Sequence, residues 1–137
     1  MRRFMFLAVS GLMTAASPAL ADTASSLAGS VGNLKTGAEV YQHVCQGCHM
    51  PDGKGAMGAG AGFPAFAGNE KLQSPEFAVY TILNGHGGMP WFSGLLTDSQ
   101  VADVVNYIRS HFGNHFSGEV KPADVAPMSP HLTMEDG

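Results

Sequence analysis

Hydrophobic positions fall into three helical patches, separated by long stretches rich in glycine and proline. The clearest patch is Val101, Val104, Val105, Ile108 and Phe112, spaced i, i+3, i+4, i+7 and i+11. Thr97 and Gln100 form a capping box at its start, and Gly113 is placed to close it at C′. A second patch, Phe77, Tyr80, Thr81 and Leu83, follows Ser74-Pro75-Glu76. That triplet supplies an N-cap serine, a proline for the first helical position and a first-turn acid. Asn84-Gly85 ends the run. The third patch opens on the capping box Thr36-Gly37-Ala38-Glu39 and is predicted to run to about Val44, with Val40, Tyr41 and Val44 on one face. Strand-type runs are rare.

The intervening stretches predict loops. Met50 to Gln73 contains Pro51-Asp52-Gly53-Lys54-Gly55 and Gly58-Ala59-Gly60-Ala61-Gly62, with turn residues and little periodicity. A loop this long in a compact domain implies function or a wrapped ligand. Residues 22–35 are small and polar and predict a flexible lead-in, and 117–137 predict a loosely held tail with three prolines. The N-terminus differs from both. Met1-Arg2-Arg3, a short apolar run and Ala19-Leu20-Ala21 make a secretory signal peptide over 1–21, too short and interrupted to span a bilayer. Residues 36–116 are then the folded domain.

Charge narrows the partners. Removing Arg2 and Arg3 with the signal leaves five basic residues against eleven acidic ones, a net charge of −6. Nucleic acid, whose phosphates need a basic surface, is excluded.

The candidate chemistry is concentrated in Cys45-Gln46-Gly47-Cys48-His49, which uses both cysteines of the chain. C-x-x-C-H is the pattern of c-type haem attachment. The thiols add to the porphyrin vinyl groups, and the imidazole that follows can bond iron as proximal ligand. A thioredoxin-like pair would require an alternating βαβ pattern, which is missing. Structural zinc would require four ligands, and His43, His86, His111, His115 and His131 lack the spacing. A disulfide here would close a very small loop and stabilise little. Haem attachment takes place outside the cytoplasm in bacteria, so signal and motif agree.

Gly37, Tyr41 and Cys45 stand at four-residue intervals, and Met89-Pro90 follows a glycine-rich loop. In these features residues 36–113 resemble class I mono-haem cytochromes c. The resemblance extends to the small cytochromes that accompany periplasmic dehydrogenases, through Gly53-Lys54-Gly55, Asn84-Gly85 and Met89-Pro90. It implies an all-α fold, with three to five short helices and long loops around one covalent haem c. Val104 and Tyr107 on the last helix would pack across Gly37 and Tyr41. Cys45 and Cys48 would carry the haem, and His49 and Met89 would be the proximal and distal iron ligands. The Pro64 carbonyl would orient His49, although Phe63 stands where the family usually has glycine. Phe66 and Trp91 would pack on the haem. His86, Met50, Met57, Met128 and Met134 are the rivals for the distal position.

Such a protein carries one electron between a dehydrogenase and a downstream cytochrome or oxidase in the periplasm. It is a carrier and not an enzyme, with no membrane span after signal cleavage. The alternative is a haem enzyme or gas sensor with a vacant or labile sixth site. A third reading is a docking subunit in which haem mainly stabilises the fold.

Overall fold

The computed structural model describes residues 30–58 and 61–130. The expected signal peptide, most of the lead-in and residues 131–137 lie outside them. Helix α1 (Gly37–Val40) starts at the Thr36–Glu39 capping box, with both reciprocal bonds formed. It does not stop before the cysteines. The chain continues through a π-helical turn, Tyr41–Cys45, into α2 (Gln46–His49), so the motif lies within one continuous coil. Single π-turns inserted in α-helices are frequent at functional sites.

The stretch expected to be loop holds two three-residue strands, β1 (Ala56–Gly58) and β2 (Ala61–Phe63), paired antiparallel with Ala56 opposite Phe63. After a 3₁₀ turn, Glu70–Gln73, comes α3 (Pro75–Asn84), capped by the Ser74 hydroxyl on the Phe77 amide. Its buried face is Ala78, Val79, Ile82 and Leu83. Of the positions in the sequence pattern Leu83 lies on this face, whereas Phe77 and Tyr80 are exposed.

Helix α4 (Asp98–Ser110) is the central element, starting at the Thr97–Gln100 capping box. Val101, Val104, Val105 and Ile108 are all buried on it. Complete burial stabilises such a valine by about 1.5–3 kcal/mol relative to exposure. The helix ends at Ser110, short of Gly113: His111 is already extended at φ −115° and ψ 179°, and Phe112 follows at φ 60°. That departure swings its ring onto Tyr41, at 4.9 Å between centroids.

Helices α1 and α4 meet at Gly37. A Cβ there would collide with the Asp103 carbonyl and stand 2.9 Å from the Tyr107 Cβ. Glycine allows the two backbones to touch, and Tyr41 and Tyr107 pack beside the contact with rings 5.5 Å apart.

The chain outside the expected domain is held as well. Gln100 Nε2 donates to the carbonyls of Val31 and Leu34, at 2.7 and 3.1 Å, and Val31 is buried. Residues 117–130 are a packed strap and not a loose tail. Val120 and Val125 are buried, the latter in α5 (Pro122–Val125). Asn106 brackets Val120, donating to its carbonyl and accepting from its amide, both at 2.8 Å. Arg109, only 2 % exposed, donates to the carbonyls of Leu72 at 2.9 Å, Ser117 at 2.6 Å and Gly118. These polar clasps meet the rule that buried hydrogen-bonding groups find partners. They leave no periodic signal in the sequence.

Candidate functional site

The coil through Tyr41–His49 carries both cysteines, not bonded to each other, Cys48 exposed and Cys45 half-buried against the core. Burial pushes the Cys45 thiol up to about 12. Met50 ends the coil at φ 63°. Tyr41 then closes the turn, its hydroxyl donating to the Met50 carbonyl at 2.7 Å. Burial raises the Tyr41 pKa to about 12, so the hydroxyl stays a donor at physiological pH.

His49 is buried. Its Nδ1 lies 3.3 Å from the Pro64 carbonyl, the arrangement of a ring N–H donating to a backbone oxygen. Desolvation lowers the imidazole pKa and the Pro64 carbonyl opposes that shift. The net effect favours the neutral ring, the form that binds metals. Phe66 stacks on the imidazole at 4.5 Å between centroids and 25° between planes, and Phe63 meets it edge-on at 6.4 Å.

Asn114, which the sequence reading did not select, and Phe112, which it took only for the last apolar position of the final helix, hold this segment in place. Asn114, 3 % exposed, donates to the carbonyls of Phe66 and Ile108, both at 3.0 Å, and accepts from the Gly68 amide. The Phe112 ring fills the space that a Cβ on Gly53 would need, 2.5 Å away. An asparagine just past a helix end is common, so the sequence carried no signal for Asn114, whereas Phe112 was visible only as part of the apolar period.

Met89 sits in a loop set by backbone conformation. Gly85 closes α3 at φ 74°, and a Cβ there would stand 2.6 Å from the Met89 carbonyl. His86 and Met89 exchange both backbone hydrogen bonds, at 3.1 and 3.0 Å, around Gly87 at φ 59°. Positive φ at the first central residue is the requirement of a tight primed turn, and glycine meets it without strain. Met89 is half-buried against the core, whereas His86 is exposed and Trp91 is 62 % exposed. An open groove lined by Glu70, Lys71, Gln73, Ser74 and Phe77 shares no residue with the motif or this loop.

The donor set suits a c-type haem. Two cysteines that do not pair with each other lie one helical turn apart, a buried imidazole is tethered through Nδ1, and a thioether stands in a loop closed by two backbone hydrogen bonds. Among the described residues no group of three or more His, Cys, Asp and Glu gathers as a zinc site would require.

A helical domain with this apparatus has the make-up of a haem-binding fold. The chain belongs to the cytochrome c family: residues 32–108 match the family described as cytochrome c oxidase, cbb3-type, subunit III. Its fold is all-α and its cofactor is covalently bound haem c. The alcohol dehydrogenase (quinone) cytochrome c subunit of Gluconobacter oxydans (strain 621H) is 35 % identical over 107 residues, covering 69 % of this chain and 22 % of that one. The gluconate 2-dehydrogenase cytochrome c subunit of Pantoea cypripedii is 36 % identical over 115 residues, 74 % of this chain and 25 % of that one. Cytochrome c6 of Parathermosynechococcus lividus is 29 % identical over 86 residues, 63 % of this chain and 99 % of that one. This chain therefore spans a quarter or less of those two dehydrogenase subunits, and nearly the whole of the cytochrome c6.

Proposed function

We propose that the protein is a periplasmic carrier that takes one electron from a dehydrogenase and delivers it to a respiratory cytochrome or oxidase. In this reading it is not itself an enzyme. Cys45 and Cys48 hold the haem through thioethers, His49 is the proximal ligand and Met89 the distal one. Phe66 and Trp91 pack around the haem. Bound haem c supplies a one-electron iron couple, and His/Met ligation raises its potential. The chain's residues keep the geometry constant between redox states. Pro64 fixes the imidazole orientation and increases its basicity. Tyr41 and Asn114 secure the two segments that flank it. The Gly85–Gly87 turn holds the thioether without a flexible hinge.

The observation that carries the reading is the 3.3 Å approach of His49 Nδ1 to the Pro64 carbonyl, which commits one ring nitrogen and leaves the other for iron. Similarity to cytochrome subunits of dehydrogenases supports a dehydrogenase as donor. Absorption spectroscopy tests the ligand set. The oxidised protein is expected to show the weak sulfur-to-iron charge-transfer band in the far red, and Met89→Ala to abolish it. A high-spin native spectrum with rapid carbon monoxide binding would instead establish the sensor or enzyme alternative, with His86 as the distal side chain.

A further inference from the structure

His49 needs more than one contact to hold its ring in a fixed plane. Its Nδ1 meets the Pro64 carbonyl at 3.3 Å, just beyond the range of about 2.7–3.2 Å usual for such a bond. One hydrogen bond of that length fixes where a single ring atom lies and leaves the plane free to tilt about it. Phe66 supplies the missing restraint. Its ring lies against the imidazole face at 4.5 Å between centroids and 25° between planes. Phe63 adds an edge-on contact at 73°.

Phe66 is itself held through backbone and ring. Its amide donates to the Gly53 carbonyl at 2.8 Å, and its carbonyl accepts from Asn114 Nδ2 at 3.0 Å. Tyr41 and Phe112 pack on the ring at 6.0 and 5.9 Å between centroids, and the residue is buried. A core position needs only volume, which a leucine would fill. A flat ring stacked on a flat ring controls orientation as well.

We propose that Phe66 is a positioning residue for the proximal ligand, its ring setting the plane of the His49 imidazole. The proposal rests on the reading of His49 as proximal ligand, and it gives Phe66 a narrower role than packing around the haem. Groups that contact a metal ligand orient it and tune the metal. In low-spin ferric haem the plane of an axial imidazole biases which iron d orbital holds the unpaired electron, and the haem methyl resonances spread accordingly. A fixed plane also removes one motion from the reorganisation that each electron transfer requires.

The test uses the haem-loaded protein and nuclear magnetic resonance. In the native ferrous form, which is diamagnetic, cross-relaxation is expected between the ring protons of Phe66 and His49. Phe66→Leu keeps an apolar side chain and removes the flat face. It is expected to change the spacing of the ferric haem methyl resonances, and to speed solvent exchange of the His49 Nδ1 proton by roughly tenfold or more. Phe66→Tyr keeps the face and is expected to retain the native spacing. Val125→Ala trims a buried side chain of the strap, controls for lost packing, and should move neither signal. Native spacing and native exchange in Phe66→Leu overturn the proposal, as does an equal change in Val125→Ala. Loss of the far-red band in Phe66→Leu would trace the change to Met89 and overturns it too. Ring contacts from Phe66 to porphyrin protons, with none to His49, overturn it on the native protein alone, whether or not the variants fold. Iron-shifted imidazole signals that belong to a histidine other than His49 remove the proximal-ligand reading, a separate failure with its own signature.

Discussion

The contact between α1 and α4 and the loop that carries Met89 are held in place by opposite means. The first is a packing contact. Gly37 lies against the Asp103 carbonyl, with Tyr41, Tyr107 and Phe112 interlocked beside it. The second is held by its own backbone, through Gly85 and Gly87 at positive φ and two hydrogen bonds between His86 and Met89. Close packing tolerates almost no added volume, whereas a tight turn tolerates volume but not the wrong φ. The motif helix is thus held by the core, and Met89 by the local geometry of its loop.

The largest expected effect tests the packed region. Gly37→Val inserts a branched side chain where even one Cβ meets backbone, and the holo-protein is expected to lose about 3 kcal/mol or more in denaturant unfolding. A loss below about 1 kcal/mol would mean that the helices can part, and packing would no longer distinguish the regions. Gly85→Ala tests the other side. A non-glycine residue at φ 74° whose Cβ meets the Met89 carbonyl is expected to cost about 1–3 kcal/mol. Hydrogen exchange should quicken at the Met89 amide and not at the α1–α4 contact. Equal quickening in both places would show one cooperative unit.

The smallest effect concerns the start of α1. Glu39 is exposed, and the Lys35 and Thr36 amides that donate to it hold its carboxyl below the usual glutamate range. A lowered folded-state pKa contributes stability that is complete above the unfolded value near 4.5, and that disappears as pH falls through the lowered value. Glu39→Gln should therefore reduce stability slightly at pH 7 and flatten its decline below about pH 4.5, as thermal unfolding across pH would show. An unchanged acid slope would remove the capping box from the account of how the motif helix starts.

Much of the molecule was legible because its causes are local. The capping boxes at Thr36–Glu39 and Thr97–Gln100, the Ser74-Pro75 helix start and the period of α4 depend on residues within one or two turns. C-x-x-C-H is likewise a statement about neighbours along the chain. The stop of α4 was misread because Gly113 is a sound local terminator, yet Phe112 leaves the helix earlier to reach Tyr41. The buried face of α3 was misread because Phe77 and Tyr80 are apolar enough for a core, and only the position of α4 assigns Ala78, Val79, Ile82 and Leu83 to it.

The sequence by itself determined the attachment chemistry, the helix starts and a short set of candidates for the opposite ligand. Each follows from side-chain type and spacing, which are properties of the chain before it folds. Only the tertiary structure decided that Arg109 and Asn114 would be buried clasps, that 117–130 would pack as a strap, and that Phe77 and Tyr80 would face away from the core. Burial depends on which surfaces meet, and hydrogen bonds to distant carbonyls have no period to announce them.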